Sequence, residues 1–264
     1  MKFKLVLGSS ILFAILLFVF VTPYVYQKNP NSVNLTAVEK SPSKENPLGT
    51  DETGRDVLAR LMVGGKVSIT VGVVTSIVKL FISLILGFTA GFFKKIDSII
   101  MRLCDIFMCF PFYVLAISFS AFVGPSLKNL IILISFFTFA PSTRLIRTEI
   151  KTLKDKEFIQ ILKINGEKNF KILINHIIPN LKNTILVIFT TSVATGILME
   201  SSLSFFGLGV KEPMSSWGSM LSVALNVLNI QKKWWMWLPA GVLVLTLVFS
   251  INLIGEGLSD DRGK

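Results

Sequence analysis

The sequence has few charged residues and almost none of the side chains on which enzymes rely. Only 16% of its 264 residues are Asp, Glu, Lys or Arg, whereas soluble domains are about a quarter charged. His176 is the single histidine, which excludes a His-based metal site and a His-assisted catalytic triad. The chain also lacks a P-loop (Gly, four residues, Gly-Lys-Ser/Thr) and with it that route to ATP binding. We therefore do not expect an enzyme.

Cysteine is equally scarce. Cys104 and Cys109 are five residues apart in an apolar context, without CxxC spacing. We interpret them as two buried free thiols, because the spacing predicts neither a disulfide framework nor a metal cluster. We therefore expect no cofactor and no metal in this chain.

Apolar residues, by contrast, are abundant. Of all residues, 52% are hydrophobic, 22 are Phe, and the mean hydropathy is +0.66. This composition predicts an integral membrane protein. The net charge of +11 does not indicate nucleic acid binding, because the positive residues mostly flank apolar stretches, where they act as a topology signal.

Six apolar stretches predict an all-α membrane protein with six transmembrane helices. The first is expected to be a retained span rather than a cleaved signal peptide, because its apolar run exceeds the ~7–15 residues of a signal sequence and no small-residue cleavage site follows. The expected spans are residues 5–22, 67–93, 106–123, 129–143, 183–205 and 235–254. The expected segments are an N-terminal transmembrane helix (1–26), an external segment (27–66), a five-helix transmembrane domain (67–256) and a cytoplasmic tail (257–264).

A basic segment, residues 144–182, holds nine Lys or Arg against four acids and is therefore expected on the cytoplasmic side. With six spans, both termini are then cytoplasmic. The segment predicts two short amphipathic helices, broken at residues 165–166, with apolar side chains at helical spacing. A helix of ~10 residues is too short to cross a bilayer, which leaves two uses, lying on the membrane surface or docking in a partner's groove. The spacing favours the partner.

Four ionisable groups in or near the spans are candidate gate or bundle-facing residues. Arg102 and Asp105 are three residues apart on a helix and could form a local pair that anchors the inner interface or belongs to an inner gate. Glu200 is expected to face the bundle or a cavity, because a charge is costly in lipid. Lys79, in the middle of a span, either pairs with an acid such as Glu200 or reaches for the interface.

The external segment contains a further signal around Gly54. Asp51 and Asp56 flank this glycine, and their side-chain oxygens could cap a short helix through residues 58–60. We expect this element to pack over the outer mouth of the bundle and to shape a docking surface. A solvated connector is the alternative.

Several short motifs follow one another in a specific order after residue 45. They are residues 46–51 and 54–56, residues 101–105 with 110–111, residues 157–166 with 176–180, residues 200–209, residues 216–218, and residues 252–258. In this order and spacing they resemble the inner-membrane permease subunits of binding-protein-dependent ABC importers, in the dipeptide/oligopeptide/nickel branch.

The resemblance implies a set of partners and a role for the basic segment. The partners are a sister permease, ABC ATPase subunits that use the ATP, and an extracytoplasmic substrate-binding protein, all at the cytoplasmic membrane with its lipid and without nucleic acid. The segment would form the coupling helix that sits in a groove of the ATPase. The implied coupling residues are Glu157, Phe158, Ile161, Leu162, Gly166, Phe170 and Pro179. Residues 160–162 are Gln-Ile-Leu where the family has Glu-Ala-Ala, so docking through apolar faces is expected to matter more than a salt bridge there.

The resemblance also implies the substrate class. Short peptides are favoured over a nickel or metal-chelate cargo, because the spans lack clustered His, Cys or Met ligands. A self-contained secondary transporter is the competing class. It predicts internal repeats and ion-coupling charges within the spans, and the sequence has no evident repeat and few such charges.

Overall fold

The computed structural model describes residues 2–259, and the regular structure in that range is helical. The α-helices are α1 (Lys2–Phe20), α2 (Thr22–Val25), α3 (Val57–Phe92), α4 (Lys94–Cys109), α5 (Phe112–Val123), α6 (Leu127–Lys154), α7 (Glu157–Ile164), α8 (Asn169–Ile172), α9 (Ile178–Phe205), α10 (Trp217–Leu221), α11 (Val227–Lys232) and α12 (Trp234–Ser259). Two 3₁₀ turns, Leu35–Ala37 and Ser222–Leu225, and one π-helical turn, Leu173–Ile177, complete the elements. The all-α prediction is confirmed.

Within the described residues, five helices are long and apolar enough to cross a membrane, and a bent pair brings the number to six if it counts as one span. The five helical stretches are Phe3–Val25, Val57–Phe92, Leu127–Lys154, Asn169–Phe205 and Trp234–Ser259. The bent pair is α4 with α5, whose axes differ by 84°. The fold is thus that of a multi-pass membrane protein.

The predicted third span, residues 106–123, is wrong as a single helix, because the chain breaks at residues 110–111. Phe110 and Pro111 both have extended backbone angles. A proline disfavours the helical region for the residue before it, here Phe110, and has no N–H to donate within a helix. The 12 residues of α5 extend only ~18 Å, well short of the ~30 Å hydrocarbon core. Membrane passage by this pair therefore needs part of α4 as well.

The second span begins ten residues earlier than predicted. Helix α3 starts at Val57, because the Asp56 side chain caps it by accepting a hydrogen bond from the N–H of Ala59 at 2.8 Å. The predicted capping by Asp56 is confirmed. Asp51 does not cap the helix and instead accepts hydrogen bonds from the N–H groups of Thr53 and Arg55 in the preceding turn. The segment predicted as 27–66 therefore ends at residue 56.

The basic segment is also more helical than predicted. Helix α6 continues to Lys154, eleven residues beyond the expected end of the fourth span. The second of the two expected short helices does not stand alone, because α8 passes through the π-helical turn directly into α9. Pro179 is the second residue of α9 and directly follows the π-helical turn, and such a local change of winding is one way in which a membrane helix accommodates a proline. The loop between the long helices is thus residues 155–177, and we call it the basic loop.

Helix α3 is the centre of the bundle and packs against both α6 and α9. At the crossing of α3 with α9, glycines face each other. A Cβ added at Gly196 would lie 2.8 Å from Thr75 Oγ1 and 3.3 Å from the Cα of Gly72. Small residues at such positions let two helix backbones approach closely, which is how helices associate in lipid. The α3–α9 contact therefore depends on residues without side chains.

The bundle has two distinct ends. Residues 26–56 and 206–233 cover one end, and we call them the platform. The basic loop covers the other end, where Lys154 Nζ donates a 3.0 Å hydrogen bond to the carbonyl of Phe92. The start of α1 and the end of α12 also lie at this loop end, joined by a 3.0 Å ion pair between Lys4 and Glu256.

The cysteines differ in environment. Cys104 is buried in the contact between α4 and α6, as predicted, whereas Cys109 at the end of α4 is exposed, so the prediction of two buried thiols is wrong for Cys109. Of the segment predicted as a tail, residues 257–259 continue α12, and residues 260–264 lie outside the described range.

We predict that Gly196→Val will destabilise the protein by about 1–3 kcal/mol, because the added side chain overpacks the α3–α9 crossing. Gly241→Val is the matched control, since an added Cβ there meets only Leu221 Cδ2 at 3.3 Å. The melting temperatures of both variants in the same detergent provide the measurement. Equal melting temperatures would mean that close approach at Gly196 does not hold α9 against α3.

Candidate functional site

Helix α7 of the basic loop is amphipathic in a particular direction. Ile159 is fully buried, and Leu162 packs half-buried against the same cluster beneath the loop. Phe158 and Ile161, by contrast, are 40% and 56% exposed, and Ile164 is 83% exposed. The apolar residues predicted to share one face of this helix are therefore divided, because Leu162 packs into the protein's core while Phe158 and Ile161 are exposed.

A glycine turn ends α7, as the sequence predicts. Gly166 has a φ of +79°, a left-handed conformation that costs other residues ~1–2 kcal/mol, and its N–H donates to the carbonyl of Lys163 at 3.0 Å. The N–H of Glu167 donates to the carbonyl of Leu162, also at 3.0 Å. The two bonds satisfy carbonyls that the end of a helix leaves free. The turn thereby sets the direction in which the chain leaves α7.

Beyond the turn, apolar side chains again divide between core and surface. Ile172 and Ile177 are fully buried, whereas Phe170 is 71% exposed and Ile174 is 44% exposed. Ile174 lies in the π-helical turn, a kind of element that occurs frequently at functional sites. We call the exposed apolar residues of the basic loop the loop surface: Phe158, Ile161, Ile164, Phe170 and Ile174. Glu157 and Pro179 are exposed at the two ends of this region.

The helices that carry the basic loop are tied to α4 by ion pairs. Both Asp97 oxygens are bound by the Arg147 guanidinium, at 2.5 and 2.6 Å, and Lys151 Nζ is 2.6 Å from the same carboxylate. Asp97 is buried, so this contact excludes much of the surrounding water. The end of α6 next to the loop therefore cannot shift without taking α4 with it or breaking this pair.

The predicted pair of Arg102 with Asp105 is wrong. Asp105 contacts the Arg144 side chain of α6, and Arg102 is exposed. Spacing along one helix suggested a local pair, but the neighbouring α6 offers Arg144 to Asp105 instead. Asp105 and Asp97 thus both fasten α4 to α6, and neither role was visible without knowing how these helices pack.

Glu200 is fully buried where α3, α9 and α10 meet, which confirms that it faces the bundle. Its carboxylate accepts hydrogen bonds of 2.7 Å from the hydroxyls of Ser68 and Ser204. Ser68 Oγ in turn accepts the N–H of Trp217, the first residue of α10, at 3.1 Å. The carboxylate thus links two spans to the short helix of the platform.

Lys79 does not pair with Glu200. Ser68 is the α3 residue at the level of Glu200, and Lys79 lies eleven residues further along, or about 16 Å at 1.5 Å per residue. Lys79 is half-buried in the middle of α3, and no ion pair joins it to another described residue. This separation along the helix axis is too large for an ion pair between Lys79 and Glu200.

An ion cluster in the platform joins residues that are far apart in the chain. Arg55 donates to Asp51 through Nε at 2.7 Å and grips the Glu212 carboxylate with both terminal nitrogens, at 3.1 and 2.9 Å. These bonds hold the pKa of Glu212 below its usual value, against the effect of partial burial. Burial alone would raise the pKa of Asp51, but hydrogen bonds from Thr53 and Arg55 lower it on balance. Both carboxylates are therefore ionised at neutral pH.

The residues Asp51, Arg55 and Asp56 are buried, so this part of the chain is packed structure and not a solvated connector. The acid and base at positions 51 and 55 are a visible sequence signal, four residues apart. Glu212 carries no such signal, because it lies 157 residues further along the chain.

Within residues 2–259, no group of three or more His, Cys, Asp or Glu side chains is placed to hold a metal ion.

Comparison with known proteins assigns the family. Residues 80–261 match the family model described as binding-protein-dependent transport system inner membrane component. The oligopeptide transport system permease protein OppC of Escherichia coli (strain K12) is 36% identical over 95% of this chain and 83% of its own length. OppC of Bacillus subtilis (strain 168) is 34% identical over 96% and 83%, respectively. The dipeptide transport system permease protein DppC of Alkalihalophilus pseudofirmus is 35% identical over 97% and 84%. This chain therefore belongs to the family of binding-protein-dependent transport system inner membrane components.

Proposed function

We propose that this permease subunit carries short peptides across the cytoplasmic membrane as part of an ATP-driven importer. The observation that carries the proposal is the similarity, over at least 95% of the chain, to three permeases named for oligopeptide or dipeptide transport. The similarity includes the spans and both ends of the bundle, so it is not confined to the loop that such importers share. A nickel or metal-chelate cargo is the alternative that an experiment must separate.

The partners follow from the same proposal. A sister permease would complete the pathway, ABC ATPase subunits would use the ATP, and an extracytoplasmic binding protein would deliver the peptide. The loop surface supports an ATPase partner, because five large apolar side chains stand exposed on a segment that is otherwise basic. Full burial of such a side chain gains ~1.5–3 kcal/mol, and a protein groove would supply the part of that gain that the exposed fraction of each residue leaves open.

Coupling would run through the rigid attachments of the loop. Closure of the ATPase pair would displace α7, and the buried Ile159 would transmit that movement to the core beneath it. The ion pairs of Asp97 and Asp105 with α6 would carry it to α4, so that these acids act as positioning residues of an inner gate. ATP binding in the partner then shifts the population between inward-facing and outward-facing states.

The loop end is proposed to face the cytoplasm. Positive residues favour the cytoplasmic side, and residues 144–182 carry nine of them against four acids. Because the start of α1 and the end of α12 lie at this same end, both would be cytoplasmic, and the platform would face outwards. There the platform meets the binding protein.

The peptide assignment is tested by reconstituting this chain with its sister permease and ATPase subunits in proteoliposomes. We expect ATP-dependent uptake of a labelled tripeptide presented by the binding protein, without competition from a nickel–histidine chelate. The two cargoes differ because a peptide is recognised by hydrogen bonds and side-chain pockets, whereas a chelate needs a site shaped for the whole complex. Uptake of the chelate without the peptide would contradict the assignment.

Docking of the loop surface is tested with the double variant Phe158→Ala and Ile161→Ala. Both side chains are exposed, so their loss leaves the chain's own core intact. We expect retention of the ATPase to weaken about tenfold or more. Only the exposed 40% of Phe158 and 56% of Ile161 remain to be buried, so each side chain contributes about half of the ~1.5–3 kcal/mol of a full burial, and each ~1.4 kcal/mol lost is tenfold. Quantitative co-purification and peptide-stimulated ATP hydrolysis are the measurements.

Two control pairs separate docking from general damage. Leu245→Ala with Phe249→Ala removes two exposed apolar side chains from α12 and is expected to leave ATPase retention unchanged. Gly166→Val is expected to uncouple transport, because no β-branched residue tolerates the left-handed turn, whereas Gly166→Asn is expected to retain activity. Normal assembly and transport by the Phe158/Ile161 variant would show that the loop surface is not where the ATPase binds.

Orientation is tested by cysteine labelling after Cys104 and Cys109 are replaced. Ser43 and Lys211 are exposed in the platform, so cysteines introduced there should react with an impermeant thiol reagent from outside. A cysteine at Lys168 in the basic loop should react only once the membrane is opened. Labelling of that position from outside would contradict the proposed orientation.

A further inference from the structure

We infer that Arg55 and Arg60 form a carboxylate-binding site where the platform meets the start of α3, occupied by Glu212 in the state described and by an acidic side chain of the binding protein when that protein docks. The inference rests on the proposed function, because it assumes a binding protein at the platform. The site is a cavity of about 100 Å³. Its charged lining residues are Asp51, Glu52, Arg55, Arg60 and Glu212.

The buried guanidinium of Arg60 is the observation that indicates a ligand. Arg60 is only 6% exposed and lines the cavity, yet its Nη1 atom has no hydrogen-bond partner among the described residues. Its Nε lies 3.4 Å from Asp51 Oδ2, and its Nη2 lies 3.9 Å from Glu212 Oε1, which is too long for a hydrogen bond. A buried donor without a partner costs free energy, and more when it is charged.

Glu212 shows which chemistry the site accepts. Its carboxylate takes both terminal nitrogens of Arg55, the two-pronged geometry in which arginine recognises carboxylates. The fit is incomplete, because the same carboxylate does not reach Arg60. A carboxylate placed deeper between the two guanidinium groups would satisfy both. The cavity has room for such a group, but not for an entire peptide.

Glu212 is also the member of the cluster that can leave. Its side chain is 69% exposed, whereas that of Asp51 is 13% exposed and is fixed by the backbone of its own turn. When Glu212 swings away, Asp51 is the only buried acid left among the described residues that line the cavity, which also include two buried arginines, since Glu52 is exposed. The site then attracts an anion. Exchange of one carboxylate for another costs little, because neither arginine loses its neutralising charge.

The occupant is expected to come from the binding protein, because the cavity lies in the platform and the departing Glu212 is exposed on the platform's surface. A carboxylate on a docking surface would reach the arginines from the side that Glu212 vacates. The exchange couples docking to a movement of residues 206–216, which connect α9 to α10. The peptide's own terminal carboxylate is the competing source of the same chemistry.

The test measures the dissociation constant between the assembled transporter in nanodiscs and its peptide-loaded binding protein. Arg60→Lys keeps the charge but loses the planar fork, and we expect docking to weaken about tenfold. Glu212→Gln removes the internal competitor, and we expect docking to tighten several-fold. Lys28→Gln is the matched control, because Lys28 is a platform cation that pairs with Asp56 and does not line the cavity. Melting temperature and ATPase co-purification establish that each variant is assembled.

The opposite signs of the two effects support the inference, and their absence overturns it. If Glu212→Gln weakens docking as much as Arg60→Lys, the Arg55–Glu212 pair is itself a structural part of the docking surface. If Arg60→Lys leaves docking unchanged but lowers uptake at saturating binding protein, the occupant is the carboxylate of the peptide. If neither variant changes either measurement, the cavity holds water only. Failure of the unaltered transporter to bind any binding protein would instead refute the proposed function.

Discussion

Close contact between helix backbones at α3 holds the bundle together. In a bilayer, an apolar side chain gains little free energy by moving from lipid into a contact between helices. Helices therefore associate where small residues permit tight packing. Gly72 faces Gly196 of α9, and Gly87 and Gly91 of α3 leave no space for a side chain beside Ile146 and Ile150 of α6. Because α6 and α9 both carry the basic loop, the position of the loop depends on how tightly they pack against α3.

This packing also explains how a carboxylate is tolerated inside the bundle. Glu200 lies on α9 one helical turn beyond Gly196, where the close approach of α3 brings the Ser68 hydroxyl within 2.7 Å. A charge buried without partners would be costly, but here hydroxyls from two helices surround it. Through Ser68 and Trp217, the same group holds α10 of the platform in place against the bundle. A polar residue in the span thus connects the membrane bundle with the platform.

Features that arise from local periodicity could be predicted from the sequence. The long helices, the cap at Asp56 and the left-handed turn at Gly166 follow from residue spacing and backbone preference alone. Helix ends were less predictable, because the end of an apolar run is not the end of a helix, as the polar extension of α6 shows. Pairings between distant residues were not predictable. Asp105 forms an ion pair with Arg144, and Arg55 with Glu212, only because elements that are distant in the sequence pack against each other.

The architecture places the basic loop and the platform at opposite ends of one tightly packed unit. Helices α3 and α9 run the full length between them, and their glycine crossing resists independent sliding. We therefore propose that a displacement of the basic loop would reach the platform as a tilt of whole helices and not as a local distortion, because packed interiors transmit strain. An ion pair lies at each end, where the apolar packing stops. Asp97 with Arg147 is largely enclosed and ties α4 to α6, whereas Glu212 is 69% exposed and is the member of its pair with Arg55 that we propose to exchange.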